Sequence, residues 1–249
     1  MRVTLIGSGN LATVLGKKIL HSGHIIYQVY NRNKSHASLL AAELSAEATD
    51  EIEDSAEMYI VAVPDDVLQN IGTWMKPLNG FIVHTAGSVA MDVLKDVSSH
   101  YGVLWPLQSI RRETTEAPVL PVLIDANNQW NKMKLKGFAQ SFADSVSEAN
   151  DEERRKLHLA AVITNNFSNY IFSLTEKYCE REGVDFKLML PLLAETVSRM
   201  KDNSPSLLQT GPAIRNDVST IEKHEELLKN DPELLAVYDF FTERIRRRE

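Results

Sequence analysis

The first twelve residues constrain this chain more than any other stretch. Val3-Thr4-Leu5-Ile6 reads as a short buried strand, and Gly7-Ser8-Gly9-Asn10-Leu11-Ala12 follows it directly. A G-x-G-x-x-A turn that leaves a strand and opens a helix is the dinucleotide-binding fingerprint in its expected context. Gly7 permits the turn, Gly9 lets a pyrophosphate approach the backbone, and Ala12 lets the helix pack closely on the strand. The helix N-terminus offers unpaired N–H groups and about half a positive charge. The residues expected to hold a cofactor here are Gly7, Ser8, Gly9, Asn10 and Leu11. The competing reading is a tight strand–helix turn that binds no nucleotide.

The first half of the sequence alternates strand-like and helix-like segments. Strands are expected at 3–6, 25–30, 58–63, 81–84, 103–105 and 119–124, and helices at 11–21, 35–44 and 128–142, with a short one after Pro64. This alternation implies right-handed crossovers and an α/β, Rossmann-like, mostly parallel sheet with helices on both faces. Ligands bind such sheets beyond the carboxyl ends of the strands. Those ends read GSGNLA, YNRN, VAVPDD, HTAGS and WPLQS. From Asp151 onward the pattern holds only helices. Residues 151–182 read as one long helix with acids at its start, an apolar stripe from Leu157 to Leu174, and Gly183 ending it. Further helices are expected at 188–200, 217–229 and 232–248. The sequence therefore divides into a dinucleotide-binding domain over 1–150 and an all-α domain over 151–249.

Composition excludes several classes. The 249 residues allow two domains, and 43% hydrophobic content supports real cores. A net charge of −7 argues against a nucleic-acid binder. The basic residues Arg244, Arg246, Arg247 and Arg248 read as a solvated helix end. Cys179 is the sole cysteine, so no internal disulfide is expected, and a reducing cytoplasm suits it. No stretch is long and apolar enough for a membrane helix, and the start does not read as a signal peptide. No metal is expected, because neither HExxH nor CxxC occurs.

The second strand indicates which dinucleotide. An NAD site usually places Asp or Glu at its end to bond the ribose. Here the strand runs into Tyr30-Asn31-Arg32-Asn33-Lys34, without an acid. Arg32 can pair with a 2′-phosphate and stack on adenine, and Asn31 can serve the ribose. NADP is thus expected over NAD. Val63 and Pro64 end the third central strand where the backbone has to pass the cofactor. Thr85, Gly87 and Ser88 follow the next strand, where they can meet the nicotinamide ribose or carboxamide. His84 lies within that strand and reads as a core histidine.

Three residues are candidates for chemistry. His158 stands in an otherwise apolar, Ala-rich stretch of the long helix, with Asn165 and Asn166 two turns on, near the same face. Polar groups on such a face need partners, which a ligand pocket or internal hydrogen bonds can supply. Arg215 follows the Thr210-Gly211-Pro212 turn and offers a planar fork to a carboxylate or phosphate, or an ion pair to Asp217. The catalytic set is therefore His158, Asn166 and Arg215.

These motifs together resemble a family that joins an NADP-binding Rossmann-like domain to a helical domain of unknown function (family 2520). It stands within the group related to 6-phosphogluconate dehydrogenase and pyrroline-5-carboxylate reductase. The carriers are IGSGNLA (6–12), YNRN (30–33), AVPDD (62–66), HTAGS (84–88), PLQS (106–109), HLAAVITNNF (158–167) and TGPAIRND (210–217). The resemblance implies a homodimer formed through the helical domain, which would close one side of the nicotinamide crevice. It also shows departures. Related β-hydroxyacid dehydrogenases carry Lys and Asn one turn apart on the long helix, whereas Lys156 and Lys177 lie outside the central segment here. Trp105-Pro106 stands where relatives often have His-Pro.

The reading that results is an NADP-dependent oxidoreductase. It moves hydride between nicotinamide and a small carbonyl or imine substrate at the domain interface. His158 is the proton donor or acceptor, Asn166 orients the substrate, and Arg215 binds an anionic group. The alternatives are a non-catalytic dimeric NADP-binding regulator or scaffold, and a reductase of a deazaflavin coenzyme.

Overall fold

The computed structural model describes residues 1–111 and 118–247. Arg248, the last residue of the final expected helix, lies outside the described residues. Two compact units are present, Met1–Asn165 and Asn166–Glu249.

The first unit contains strands β1 (Arg2–Ile6), β2 (Ile25–Tyr30), β3 (Glu47–Thr49), β4 (Met58–Val61), β5 (Phe81–His84), β6 (Tyr101–Pro106), β7 (Pro121–Ala126) and β8 (Ser145–Glu148). They form one sheet in the order β3-β2-β1-β4-β5-β6-β7-β8. Every neighbouring pair is parallel except β6 and β7. No helix is described between Pro106 and Pro121, so the chain turns back and pairs antiparallel, which needs no crossover. The sequence pattern missed β3 and β8, the two edge strands. Both are short and lack the continuous apolar run of a central strand.

Side chains alternate between the two faces of β1. Val3 and Leu5 enter a core with Leu15 and Ile19 of α1 (Asn10–His21), Leu40 of α2 (Lys34–Glu43), and Leu135 and Phe138 of α4 (Gln129–Gln140). Ile6 enters a core on the other face with Tyr59, Val61, Ile82 and Leu68, the last from α3 (Asp65–Gln69). Register fixes the functional edge. Ile6 lies beside Tyr30 and Val61, and Val61 lies beside His84. The turns after β1, β2, β4 and β5 therefore leave the sheet from one line.

The long helical segment begins as expected. Asn150 caps α5 (Asp151–Ala161), accepting from the backbone N–H groups of Glu152 and Glu153 at 3.0 Å. The Glu153 carboxylate returns to accept from the Asn150 N–H at 2.9 Å. The helix does not stay regular: Val162–Phe167 is a π turn before α6 (Ser168–Glu182). Gly183 ends α6 in the left-handed conformation, φ 70°. Residues 151–165 belong to the compact first unit, beyond the expected division at 150. Within this stretch Arg154 is wholly buried and bonds the loop after β5.

The second unit holds α6, α7 (Leu190–Arg199), α8 (Val218–Leu228) and α9 (Pro232–Arg246). Arg181 of α6 pairs with Asp231, the cap of α9, at 2.9 Å. The His224 Nδ1 and the Tyr238 hydroxyl, from α8 and α9, lie 2.9 Å apart. Much of the unit's apolar surface is uncovered: Phe167, Leu188, Leu192, Val197 and Phe240 are more than half exposed.

Candidate active site

The turn after β1 forms the floor of a cleft of about 300 Å³. Its lining is Gly7, Ser8, Gly9, Tyr30, Asn31, Arg32, Ala62, Val63, Pro64, Val67 and Trp74. Gly7 has φ +114°, and a Cβ there would fall 2.2 Å from the carbonyl oxygen of Ala62. Only glycine brings the turn this close to the end of β4. A Cβ at Gly9 would meet nothing within 4 Å among the described residues. Gly9 is the N-cap of α1 and makes no side-chain cap bond, so its own position leaves the first turn of that helix uncapped. The Asn31 amide donates to the Ser8 hydroxyl at 2.9 Å, which joins the turns after β1 and β2. Arg32 is exposed on the rim, and no carboxylate among the described residues forms an ion pair with it. An open glycine floor with a free guanidinium beside it and no acid suits a phosphorylated dinucleotide.

The aromatic wall of this cleft was not evident in the sequence. The rings of Tyr30 and Trp74 stack with centroids 6.2 Å apart and planes 5° from parallel. Trp74 follows α3 at the end of a 3-10 turn, where its indole N–H donates to the Val67 carbonyl at 3.3 Å. The pair spans 44 positions of sequence, so no local pattern announces it.

The loop after β5 is built differently. His84 is fully buried, and its Nδ1 accepts from the Ala86 N–H at 3.2 Å. Burial, with the Arg154 guanidinium adding to it, pushes its pKa down to about 3. It is a neutral core histidine. Thr85, just past β5, is tied to the end of β4, its hydroxyl donating to the Val61 carbonyl at 3.1 Å. The Ser88 hydroxyl donates to the Asp65 carboxylate, tying this loop to the start of α3. Gly87 is wedged: a Cβ there would lie 2.7 Å from Trp105 Cε2 and 2.8 Å from His158 Cδ2. The Trp105 and His158 rings are 6.0 Å apart, tilted by 50°. His158 is half-buried on α5 and rests on the end of β6 and the loop after β5.

Residues 120–245 match the family described as a domain of unknown function, DUF2520. Residues 2–83 match the family NADP oxidoreductase, coenzyme F420-dependent. A candidate NADP oxidoreductase of Bacteroides fragilis, BF3122, is 34% identical, over 99% of this chain and 98% of its own, with a TM-score of 0.91. The chain belongs to the DUF2520 family. The same fold, at 18% identity and TM-score 0.72, occurs in a reductive aminase of Aspergillus terreus solved with NADPH and ethyl-5-oxohexanoate, covering 99% of this chain and 93% of that one. It occurs again, at 16% identity and TM-score 0.63, in 1-pyrroline-5-carboxylate reductase of Streptococcus pyogenes, covering 99% and 98%. No curated protein matches.

In this DUF2520 protein the expected cofactor residues separate into two groups. Gly7, Ser8, Gly9, Asn31, Arg32, Val63 and Pro64 line the one cleft. Asn10, Leu11, Thr85, Gly87 and Ser88 do not line it. The expected cofactor, NADP, is that of the family matched over residues 2–83. Of the expected catalytic residues, His158 belongs to the first unit; Asn166 and Arg215 belong to the second and are exposed there. Asn165 and Asn166 lie in the π turn, where the rotation per residue departs from the α spacing used to align them with His158. Asp217 caps α8 through the Thr220 N–H at 3.2 Å, and no ion pair joins it to Arg215 among the described residues. Among the described residues no group of His, Cys, Asp or Glu could hold a metal, and no helix is long and apolar enough to cross a membrane.

Proposed function

We propose that this protein is an NADPH-dependent reductase of a small imine or carbonyl compound. The observation that carries this reading is the placement of His158. A titratable ring is held half-buried against Trp105 at the carboxyl end of the sheet that bears the dinucleotide cleft. NADPH, when bound, supplies the hydride that reduces the C=N or C=O carbon. His158 supplies the proton that the nitrogen or oxygen takes up, giving an amine or alcohol and a neutral imidazole. Ser8, Gly9 and the first turn of α1 hold the pyrophosphate, and Arg32 pairs with the 2′-phosphate. Asn166 orients the substrate and Arg215 binds an anionic substituent. The location of Asn166 in a π turn supports a functional role, since such turns recur at functional sites. The uncovered apolar residues of the helical unit support a homodimer formed through that unit.

The test begins with the cofactor. NADPH and NADH are titrated against nicotinamide fluorescence in the wild type and in Arg32→Asp. NADPH is expected to bind preferentially and to lose on the order of 10²-fold in affinity in the variant. The purified protein is then assayed for NADPH oxidation with 1-pyrroline-5-carboxylate, with ethyl-5-oxohexanoate, and with cyclohexanone plus allyl amine. Turnover that His158→Gln abolishes supports the reading. Turnover that survives this change rejects His158 as the proton donor. Failure to bind either nucleotide rejects the reductase.

A second reading, reduction of a deazaflavin coenzyme, is favoured by the family matched over residues 2–83. The same assay with that coenzyme as acceptor distinguishes it.

A further inference from the structure

Arg154 has no part in the reaction just described, yet it is a charged side chain enclosed in the first unit. It is fully buried, and it is the only buried residue of α5. Its Nη2 donates to the Val89 carbonyl at 2.5 Å and to Asp151 Oδ1 at 2.8 Å. The Asp151 carboxylate accepts in turn from the Met91 N–H, 3.2 Å from each oxygen. One turn of α5 thus grips the loop after β5 at two backbone points, a carbonyl and an amide. Both bonds are blind to the loop's side chains.

His158 stands one helical turn beyond Arg154, on the same face. Among the described residues no side chain hydrogen-bonds its ring, whose neighbours are Trp105 and Gly87 of the same loop. Packing fixes the ring, and packing depends on where α5 is held. Exposed pairs such as Lys156 with Glu152 cannot hold it. His84, neutral beneath the guanidinium, adds no second cation to the buried cluster.

We infer that Arg154, with Asp151, is a positioning residue for His158: the buried guanidinium clasps α5 to the loop after β5 and so sets the imidazole against Trp105 and Gly87. The catalytic meaning of this placement rests on the reductase reading. The placement itself is measured without turnover.

The experiment uses the full chain with carbon-13 histidine and reads the ring signals by two-dimensional NMR. His158→Gln identifies the His158 signal, and Trp105→Phe measures how far the indole ring current displaces it. Arg154→Met and Asp151→Ala are each expected to move the His158 signal toward its position in Trp105→Phe, with Arg154→Lys intermediate because its ammonium keeps the charge and can still donate, but from a shorter side chain. NADPH affinity is expected to stay within about twofold, because no residue of α5 lines the cleft. An unmoved His158 signal in folded Arg154→Met or Asp151→Ala overturns the inference. So does a general shift of all histidine signals with loss of NADPH binding, which marks Arg154 as a support of the whole unit. Should Arg154→Met fail to fold, Asp151→Ala decides alone, since it leaves the bond from Arg154 to Val89 in place. If His158→Gln leaves turnover intact while the signal moves as expected, the proton-donor role falls and the clasp stands.

Discussion

The loops after β1 and β5 each carry a glycine at the carboxyl end of a parallel strand, and they use it in opposite ways. At Gly9 the space a side chain would take is empty among the described residues. At Gly87 that space is filled by Trp105 and His158. The first loop is left open by an absence of atoms. The second is a packed joint in which glycine lets two rings close over the backbone. A glycine in a sequence does not say which of these it serves. Gly7 adds a third use: a backbone bend with positive φ against a neighbouring carbonyl.

Substitutions sharpen this contrast. Gly7→Ala is expected to cost most, about 3 kcal/mol or more, because it combines strained φ with overlap on the Ala62 carbonyl. Urea unfolding measures it, and a loss under 1 kcal/mol, on the same order-of-magnitude scale, would show that the turn yields easily. Gly87→Ala is expected to cost about 1–3 kcal/mol by the same measurement, since Trp105 or His158 must shift. NADPH binding should survive this change. Retained stability with unchanged NMR signals for His158 would break the picture of a packed joint.

His84 tests the same loop through pH. Its imidazole takes a proton below the ordinary 6.5 when the chain is unfolded, but only near 3 when folded. Between these values the unfolded state binds more protons, so stability falls as pH falls, by about 1.4 kcal/mol per unit. His84→Asn keeps an acceptor for the Ala86 N–H and cannot titrate. Its unfolding free energy between pH 6 and 4.5, in roughly that window, should show a slope shallower by that amount. An unchanged slope would assign the acid sensitivity elsewhere. The smallest effect is expected at Gly9→Ala, within about 0.5 kcal/mol in stability. NADPH affinity alone should drop there, as the new methyl group enters the open floor.

The same contrast explains what could be read from the sequence. The turn after β1 was legible because its glycines, strand and helix are contiguous, and seven of the expected cofactor residues do line the cleft. Arg32 was singled out because an acid is missing from a known position, and it lines the cleft. Trp74 and Arg154 were not. Trp74 acquires its role from Tyr30, and Arg154 from the backbone of Val89, 65 residues earlier. A buried arginine in DEERRKLHL looks like any solvated helix charge until the fold closes over it. The π turn was hidden as well, since VITNNF carries no Pro or Gly to mark a break in a helix.

The two ends of the sheet bear on how copies of this chain meet. β3 has three residues and β8 has four, so each edge offers only a few unpaired backbone groups. Glu148 of β8 is drawn into ion pairs with Lys132, at 3.8 Å, and Lys136, at 3.2 Å, which places charge along that edge. Strand-to-strand joining between two copies is therefore short of hydrogen bonds and crossed by charged side chains. Sheet extension, the route by which exposed strands aggregate, is blunted at both edges.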